Sequence, residues 1–309
     1  MKRILSLVVA LLVLIGCAQA LAEGLSIDRL TTTYVTAPLN VPSIVEKDGA
    51  VFESVLGVPV EYSEITSGAD QTQALASGDV QLLYAVGGTS IILSAANGAD
   101  IKVLNMYSRA PKAFCMYSVD DTLTTPESLR GKTIAGPAGT NLHELLAAYL
   151  AGAGMTIDDV NFVSMGIPES KAALDGGSAD VALLGGAAAY NAAKQGYHLV
   201  ADGEGLIKAI IAVCVTGEFC EAHPDAVEKI MEAQREIMAR IDADPEAAYA
   251  AAAAALDLDV DAVKEMAECY DFSLEIADED VAGFQKTADF MYSAGMIEEP
   301  FDVNALFLD

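Results

Sequence analysis

Small polar residues recur where predicted strands end and helices begin, and their types and spacing point to a ligand site. Six loops show this pattern, at residues 36–40, 66–70, 87–90, 136–141, 165–167 and 185–186. Helix N-termini carry unpaired N–H groups and a partial positive charge, which suit anions and carbonyl-bearing ligands. Open α/β sheets bind ligands beyond the carboxyl ends of their strands. The residues that we predict to contact a ligand are Pro38, Leu39, Asn40, Ser67, Gly68, Gly88, Thr89, Gly139, Thr140, Asn141, Gly166 and Gly185.

These residue types also have a simpler role. Serine, threonine, asparagine and glycine cap helices and form turns, so capping is the simpler explanation for any one loop. Six such loops are harder to explain by capping alone, and one residue can both cap and bind. Arg109 and Lys112 lie near a predicted crossover of the chain, where solvated hinge residues are favoured over partners of an anionic solute.

The sequence contains no recognisable catalytic motif. It lacks both the Gly-x-Ser-x-Gly and the His-Glu-x-x-His patterns. His143, His198 and His223 lie in separate segments, and only His143 is placed to face a cleft. Cys220-x-x-His223 has no second ligand pair at a suitable spacing. We therefore predict no enzymatic activity, no metal site and no cofactor.

Strand-like and helix-like segments alternate along the first two thirds of the chain. Strands are predicted at 31–36, 58–65, 80–86, 101–107, 114–119, 133–135, 160–164, 181–184 and 207–215. Helices are predicted at 40–56, 71–77, 90–96, 126–129, 142–153, 168–174, 224–243, 245–256, 260–268 and 278–295. This alternation indicates an α/β fold with largely parallel sheets.

A weak internal repeat indicates two similar lobes. Residues 74–83 and 173–184 each combine a helix end, a glycine suited to positive φ, an aspartate and an apolar strand that ends in two glycines. The predicted organisation is a signal peptide at 1–22, a first lobe at 23–110 and 208–309, and a second lobe at 111–207. The second part of the first lobe is a helical C-terminal region, and the chain crosses twice between the lobes.

The amino terminus has the layout of a bacterial secretory signal. Lys2 and Arg3 precede an apolar stretch that ends near Gly16. Two processing routes fit. Ala20-Leu21-Ala22 resembles a peptidase site that would release a chain beginning at Glu23, whereas a lipobox would make Cys17 the lipidated first residue. We favour the first route, because the first predicted strand leaves only a short tether after Cys17. Both routes place the protein outside the cytoplasm.

Composition and charge exclude several classes of protein. The chain has 309 residues, 53% hydrophobic residues and a net charge of −28, a combination that excludes intrinsic disorder. The acidic pI of about 4.2 argues against nucleic acid and anionic lipid surfaces as partners. Past the signal segment no long apolar run remains, which excludes a multi-pass membrane protein. The cysteines Cys115, Cys214, Cys220 and Cys269 permit disulfides, but small buried hydrophobes are at least as good an interpretation.

Several short motifs together resemble a known family. They include the Ala37-Pro38 strand end, residues 44–52, the segment Ala74-Leu75-x-x-Gly78-Asp79-Val80, residues 96–101 and the run 129–135. In this order they are similar to the nitrate/sulfonate/taurine (SsuA/THI5-like) group of solute-binding proteins of ABC transporters, over roughly residues 30–300. The resemblance implies a two-lobed periplasmic-binding-protein fold of type II. The chain departs from many members at residues 185–188, where Gly-Gly-Ala-Ala replaces an aromatic–acidic–proline segment.

The resemblance implies a function. We expect an extracytoplasmic, monomeric solute-binding protein that delivers a small organic anion, such as a sulfonate, nitrate or carboxylate, to a permease and its ATPase. One alternative is an enzyme of the same fold, similar to the thiamine-pyrimidine synthase or the menaquinone-pathway enzymes, but those work in the cytoplasm. A binding module that feeds a sensor is the other alternative.

Overall fold

The computed structural model describes residues 24–308 of the chain. The predicted signal peptide of residues 1–22, including Cys17, lies outside the described residues, so both processing routes stay predictions. Within residues 24–308, no helix combines the length and the apolar character needed to cross a bilayer.

The described residues form ten strands and twelve α-helices. The strands are β1 (Leu30–Tyr34), β2 (Val60–Glu64), β3 (Leu83–Gly87), β4 (Lys102–Arg109), β5 (Phe114–Ser118), β6 (Thr133–Gly136), β7 (Asn161–Ser164), β8 (Val181–Gly185), β9 (His198–Asp202) and β10 (Ile210–Val215). The helices are α1 (Val41–Gly49), α2 (Val51–Leu56), α3 (Gly68–Ser77), α4 (Gly88–Ala96), α5 (Asn141–Ala151), α6 (Ile167–Asp175), α7 (Gly186–Lys194), α8 (Gly217–Ala222), α9 (Pro224–Ala243), α10 (Pro245–Leu256), α11 (Val260–Ala267) and α12 (Asp278–Ser293). The predicted α/β class is confirmed.

The first lobe is built on five strands in the order β2-β1-β3-β10-β4. β1 and β2 pair in parallel, and β10 pairs antiparallel with both β3 and β4. A parallel bridge between Thr32 and Leu82 joins the two-stranded and three-stranded sheets. Four strands of this layer therefore point the same way, and β10 runs against them.

The second lobe is a five-stranded sheet in the order β7-β6-β8-β5-β9. β6 pairs in parallel with β7 and β8, and β5 pairs antiparallel with β8 and β9. In each lobe, the opposing strand is the first strand after the chain has changed sheets. The chain leaves the first sheet between β4 and β5 and returns between β9 and β10. The predicted limits at residues 110 and 207 fall in these two connections and remain predictions as domain boundaries.

Prolines and one left-handed residue determine several helix ends. α9 and α10 begin at Pro224 and Pro245, as predicted, because proline suits the first turn of a helix. The prediction of one helix over 40–56 was wrong. Ala50 adopts φ 44° and ψ 46°, which ends α1 and starts α2. No strand was predicted at the position of β9, a short strand at the edge of the second sheet.

The C-terminal helices pack onto the first lobe. Ile230 and Ile237 of α9 share a core cluster with Phe52 of α2. Ala252 of α10 packs with Ile44 of α1. Phe284 of α12 belongs to a separate core cluster that includes residues of β3, β4 and β10. The four cysteines of the described residues are free thiols, which agrees with their interpretation as small apolar groups.

Candidate ligand site between the lobes

Six helices begin at the six loops singled out from the sequence. In the first lobe these are α1, α3 and α4, and in the second lobe α5, α6 and α7. Each helix follows the carboxyl end of a strand. Asp70 is the one charged residue in these loops, so positive potential there comes from helix N-termini rather than from lysine or arginine. The arrangement suits a ligand that accepts hydrogen bonds from N–H and O–H groups.

Thr89, Asn141, Glu144 and Thr287 form a buried polar group between the lobes, here called the interlobe cluster. Thr89 Oγ1 lies 2.7 Å from Asn141 Oδ1 and 2.7 Å from Glu144 Oε2. The Thr287 hydroxyl donates to Glu144 Oε1 at 2.9 Å. Thr89 and Thr287 belong to α4 and α12 of the first lobe, while Asn141 and Glu144 belong to α5 of the second. The cluster therefore joins the lobes by side-chain hydrogen bonds.

Pro38 and Gly186 form a second interlobe contact. A Cβ atom added to Gly186 would lie 1.9 Å from the Pro38 carbonyl oxygen, and Gly186 adopts φ +57°. A Cβ atom on Gly185 would lie 3.3 Å from Pro38 Cβ. Only glycine fits at 186 while the lobes are in contact, which gives a physical reason for the missing aromatic side chain in this segment.

Ser90 and Gly139 form a third contact, beside a cavity of about 240 Å³. The Ser90 hydroxyl donates to the Gly139 carbonyl at 3.1 Å, and a Cβ atom on Gly68 would lie 2.3 Å from Ser90 Oγ. The cavity is lined by Ala69, Thr72, Gln73, Ala76, Ser90, Leu93, Ser94, Asn97 and Gly139. The lining is uncharged and combines polar side chains with alanine, leucine and glycine, and it comes from α3, α4 with the residue after it, and the loop before α5.

The structure thus brings together seven of the predicted residues at interlobe contacts or beside them. Gly88 is buried against Ile210 and Phe284, next to the interlobe cluster. The others are Pro38, Gly68, Thr89, Gly139, Asn141 and Gly185.

The remaining five residues use their side chains or backbone locally. Leu39 is fully buried in the core beside α1 and α10. Asn40 Nδ2 donates to the Ala37 carbonyl at 3.1 Å, and Ser67 Oγ accepts from Asp70 N–H at 3.4 Å. Thr140 donates to the Pro137 carbonyl at 2.8 Å, and the Gly166 carbonyl accepts from Ser170 at 2.8 Å. Their roles in ligand binding stay predictions.

The residues considered for acid–base or ionic roles have other partners. His143 Nδ1 accepts from Gly139 N–H at 3.2 Å, and its ring stacks on Phe162 with centroids 4.7 Å apart. Burial lowers the pKa of His143, so its neutral form is favoured. Arg109 Nε donates to Asp280 Oδ1 at 2.6 Å, and Lys112 pairs with Glu204 at 3.1 Å. Both cations are therefore already neutralised near the crossovers.

A second cavity of about 320 Å³ lies beside the crossovers. Cys115, Tyr117 and Tyr190 line it from the second lobe, and Cys269 and Tyr270 line it from the first. Gly186 borders this cavity as well as the contact with Pro38, so the cavity lies next to the interlobe contact and is shaped by both lobes.

Glu144, like Thr287, belongs to the interlobe cluster but was not singled out by the sequence analysis. It is 4% exposed, and burial raises the pKa of its carboxyl group. The loops were selected for small polar residues, and a glutamate in the first turn of a helix ordinarily indicates a favourable dipole interaction. Its contact with the opposite lobe depends on tertiary packing.

The chain is similar to one protein named for binding taurine and to another named for binding aliphatic sulfonates. It is 29% identical over 204 residues to the taurine-binding periplasmic protein of Escherichia coli (strain K12), across 65% of this chain and 62% of that protein. The match thus spans less than two thirds of the relative. The present chain is also 24% identical over 312 residues to a protein of Bacillus subtilis (strain 168) named for binding aliphatic sulfonates, across 98% of this chain and 93% of that protein.

A solved structure shares the fold. The alkanesulfonate-binding protein SsuA from Xanthomonas axonopodis pv. citri, bound to MOPS, has a TM-score of 0.83 and 20% identity, across 91% of this chain and 98% of that one. The predicted two-lobed periplasmic-binding-protein fold is thereby confirmed.

Residues 39–248, more than half of the chain, match the family described as NMT1/THI5 like. This range includes both sheets except β1, and five of the six loops in full. The resemblance inferred from the short motifs is confirmed. The chain belongs to the NMT1/THI5-like family.

Proposed function

We propose that this protein is the extracytoplasmic solute-binding component of an ABC importer and that it binds a small organic anion between its lobes. The observation that carries the proposal is the meeting of helix N-termini from both lobes, with the interlobe cluster at the contact. The names of the relatives support binding rather than catalysis, since two are named for binding taurine or aliphatic sulfonates.

The electrostatics favour an anion or a zwitterion. Unpaired N–H groups at helix N-termini attract negative charge. The net charge of −28 would repel anions at long range, so recognition must depend on these short-range donors. A sulfonate offers three acceptor oxygens where a carboxylate offers two. The relatives named for binding taurine or aliphatic sulfonates favour a sulfonate over nitrate, and we therefore rank sulfonates first.

Delivery of the solute implies a permease with its ATPase as partner and a location outside the cytoplasm. One relative is periplasmic by name. Cleavage before Glu23 and lipidation at Cys17 remain the two proposed ways of reaching that location. The intact mass of the protein recovered from the cell envelope distinguishes them, because lipidation adds acyl chains to a protein that begins at Cys17.

Thermal unfolding in the presence of candidate solutes tests the proposal. The protein without its predicted signal peptide, residues 23–309, is unfolded in the presence of taurine, longer alkanesulfonates, MOPS, nitrate or carboxylates. A solute at about 100 times its Kd stabilises the native state by about 2.7 kcal/mol. Because a chain of this length unfolds with an entropy of about 0.6 kcal/mol/K, we expect the Tm to rise by roughly 4–5 °C.

A pair of threonine variants locates the binding site. Thr140→Val removes a hydroxyl at the start of α5, and we expect it to reduce the solute-induced rise in Tm. Thr125→Val makes the same change at an exposed position that precedes the short helix Pro126–Leu129 and should keep the full rise. If no sulfonate raises the Tm, and native mass spectrometry finds no co-purified ligand, the proposed function is wrong.

A further inference from the structure

The interlobe cluster has a hydrogen-bond geometry that constrains the protonation state of Glu144. A hydroxyl group has one hydrogen to donate. Thr89 Oγ1 nevertheless lies 2.7 Å from two acceptor-type atoms, Asn141 Oδ1 and Glu144 Oε2. One of these two partners must therefore supply a hydrogen to the Thr89 oxygen.

The surroundings of Asn141 show that its amide oxygen faces Thr89. The Thr89 N–H group lies 3.5 Å from Asn141 Oδ1, and Asn141 Nδ2 lies 3.5 Å from the Ile210 carbonyl oxygen. Rotating the amide by half a turn would place two oxygens against each other at Ile210 and two N–H donors against each other at Thr89. Asn141 Oδ1 is thus the acceptor, and the Thr89 hydroxyl donates to it.

The second short contact then requires a hydrogen on Glu144. With its own hydrogen given to Asn141, Thr89 Oγ1 can only accept from Glu144 Oε2. The other carboxyl oxygen, Oε1, accepts from the Thr287 hydroxyl at 2.9 Å. A neutral carboxylic acid provides one donor and one acceptor in this geometry, whereas a carboxylate provides two acceptors.

We propose that Glu144 is protonated when the lobes are in contact and that closure of the lobes takes up one proton. Glu144 comes from the second lobe, while Thr89 and Thr287 come from the first, so separating the lobes removes both partners and admits water. The carboxyl group then returns to its ordinary pKa of 4.5 and ionises at neutral pH. Closure and protonation of Glu144 are therefore linked, and for its effect on solute affinity the inference rests on the proposed function.

The charged groups near Glu144 do not replace the proton. Lys286 on α12 favours the ionised form of Glu144, and Lys208, before β10, lines a small cavity of about 40 Å³ with both residues. Among residues 24–308 neither lysine forms an ion pair with Glu144. α4 contributes no titratable residue, and the neighbouring His143 is held by Gly139 and Phe162. Burial is the largest influence, and it favours the neutral acid.

The sign of the pH dependence follows from this linkage. Because the pKa of Glu144 is raised in the closed state, closure is fully favoured below the ordinary pKa and weakens as the pH rises through the raised pKa. Between these two values, the ratio of closed to open protein falls by up to about tenfold per pH unit.

Small-angle X-ray scattering of the solute-free protein from pH 5 to pH 8 tests the inference. We expect the radius of gyration of the native protein to increase with pH. Glu144→Gln keeps one donor and one acceptor but cannot ionise, so its radius should stay at the low-pH value. Glu169→Gln changes an exposed glutamate in the first turn of α6 and should behave like the native protein. The same pH response in all three proteins would overturn the proposal.

Carbon-13 NMR of the glutamate carboxyl groups measures the protonation directly. The Glu144 resonance is identified by its loss in Glu144→Gln, and we expect it to titrate above the ordinary pKa of 4.5. Titration at or below that value would overturn the proposal even if the variant were unstable. Both measurements are made without solute. A failure of taurine and the alkanesulfonates to bind would therefore count against the proposed function alone.

Discussion

Glu46 and Glu144 are both buried carboxyl groups, but the two differ in which lobe supplies their partners. Glu46 Oε1 accepts from the Tyr62 hydroxyl at 2.8 Å and from Phe52 N–H at 3.3 Å. Both donors belong to the same lobe as Glu46. Glu144 instead contacts Thr89 and Thr287 across the junction between the lobes. Burial raises the pKa of both groups, and that of Glu46 to about 7.

This difference separates folding from closure. The surroundings of Glu46 form when the first lobe folds and do not change when the lobes move apart. The surroundings of Glu144 form only when the lobes meet. The same chemistry therefore links a proton to folding stability in one place and to the open–closed equilibrium in the other.

The largest expected effect is the pH dependence of stability caused by Glu46. Its pKa rises from 4.5 to about 7 on folding, which corresponds to about 3 kcal/mol. Because the pKa is raised in the folded state, this stability is present below pH 4.5 and is lost as the pH rises through 7. Urea unfolding at pH 4.5 and pH 8 should show the native protein losing about 3 kcal/mol relative to Glu46→Gln, which does not titrate.

If the two glutamates differ in this way, Glu46 should have no effect on the equilibrium between open and closed lobes. The radius of gyration of Glu46→Gln should follow the same pH dependence as that of the native protein. Parallel stability profiles for the two proteins would show that Glu46 does not carry the expected linkage. A change in the pH dependence of the radius would remove the distinction between the two carboxyl groups.

A smaller effect is expected from a pair of glycine variants in the second lobe. Gly186 and Gly196 have φ +57° and φ +79°, so an alanine at either position bears the cost of the left-handed conformation. A Cβ atom at Gly186 would also lie 1.9 Å from the Pro38 oxygen, whereas nothing lies within 4 Å of one at Gly196. Gly186→Ala should therefore disfavour closure by about 1–3 kcal/mol beyond Gly196→Ala.

Titration calorimetry with a solute found in the screen, together with scattering, measures this difference. We expect Gly186→Ala to weaken solute binding by roughly 10–100-fold and to increase the radius, while Gly196→Ala lowers only the Tm. Equal binding by the two variants would mean that the contact between Pro38 and Gly186 does not limit closure.

Local features made much of the fold predictable. The starts of α9 and α10 follow from Pro224 and Pro245, and α3 ends at Gly78, whose φ of +79° suits glycine. The break at Ala50 was not predictable, because alanine favours helix and its residue type gives no sign of the left-handed conformation that it adopts. β9 was missed because a short strand at a sheet edge carries little periodicity.

The interlobe contacts were predictable at the level of loops but not of pairings. Strand ends followed by helices identified Thr89 and Asn141, since small polar residues at such positions are visible in the sequence. Their contact, and the part played by Glu144, depend on the approach of two segments more than fifty residues apart. The spacing of residues along the chain does not show which distant segments come into contact. The sequence therefore indicated a cleft but not the hydrogen bonds across it.

The smallest expected effect concerns two thiols, one inside a lobe and one beside the junction between the lobes. Cys214 in β10 is fully buried within the core of the first lobe, whereas Cys115 in β5 lines the 320 Å³ cavity that both lobes shape. Burial raises the pKa of Cys115 to about 12, so few thiolates are present at neutral pH and labelling is slow. If Glu144→Gln holds the lobes closed, Cys115 should react with an alkylating reagent roughly two- to tenfold more slowly than in the native protein at pH 7. Cys214 should stay unlabelled in both proteins, since only unfolding exposes it.

Mass spectrometry of the labelled peptides measures both labelling rates at one pH, which keeps the chemistry of the reagent constant. A matching change at Cys214 would indicate a difference in folding stability, and an unchanged Cys115 would mean that this cavity does not respond to the motion that Glu144 controls.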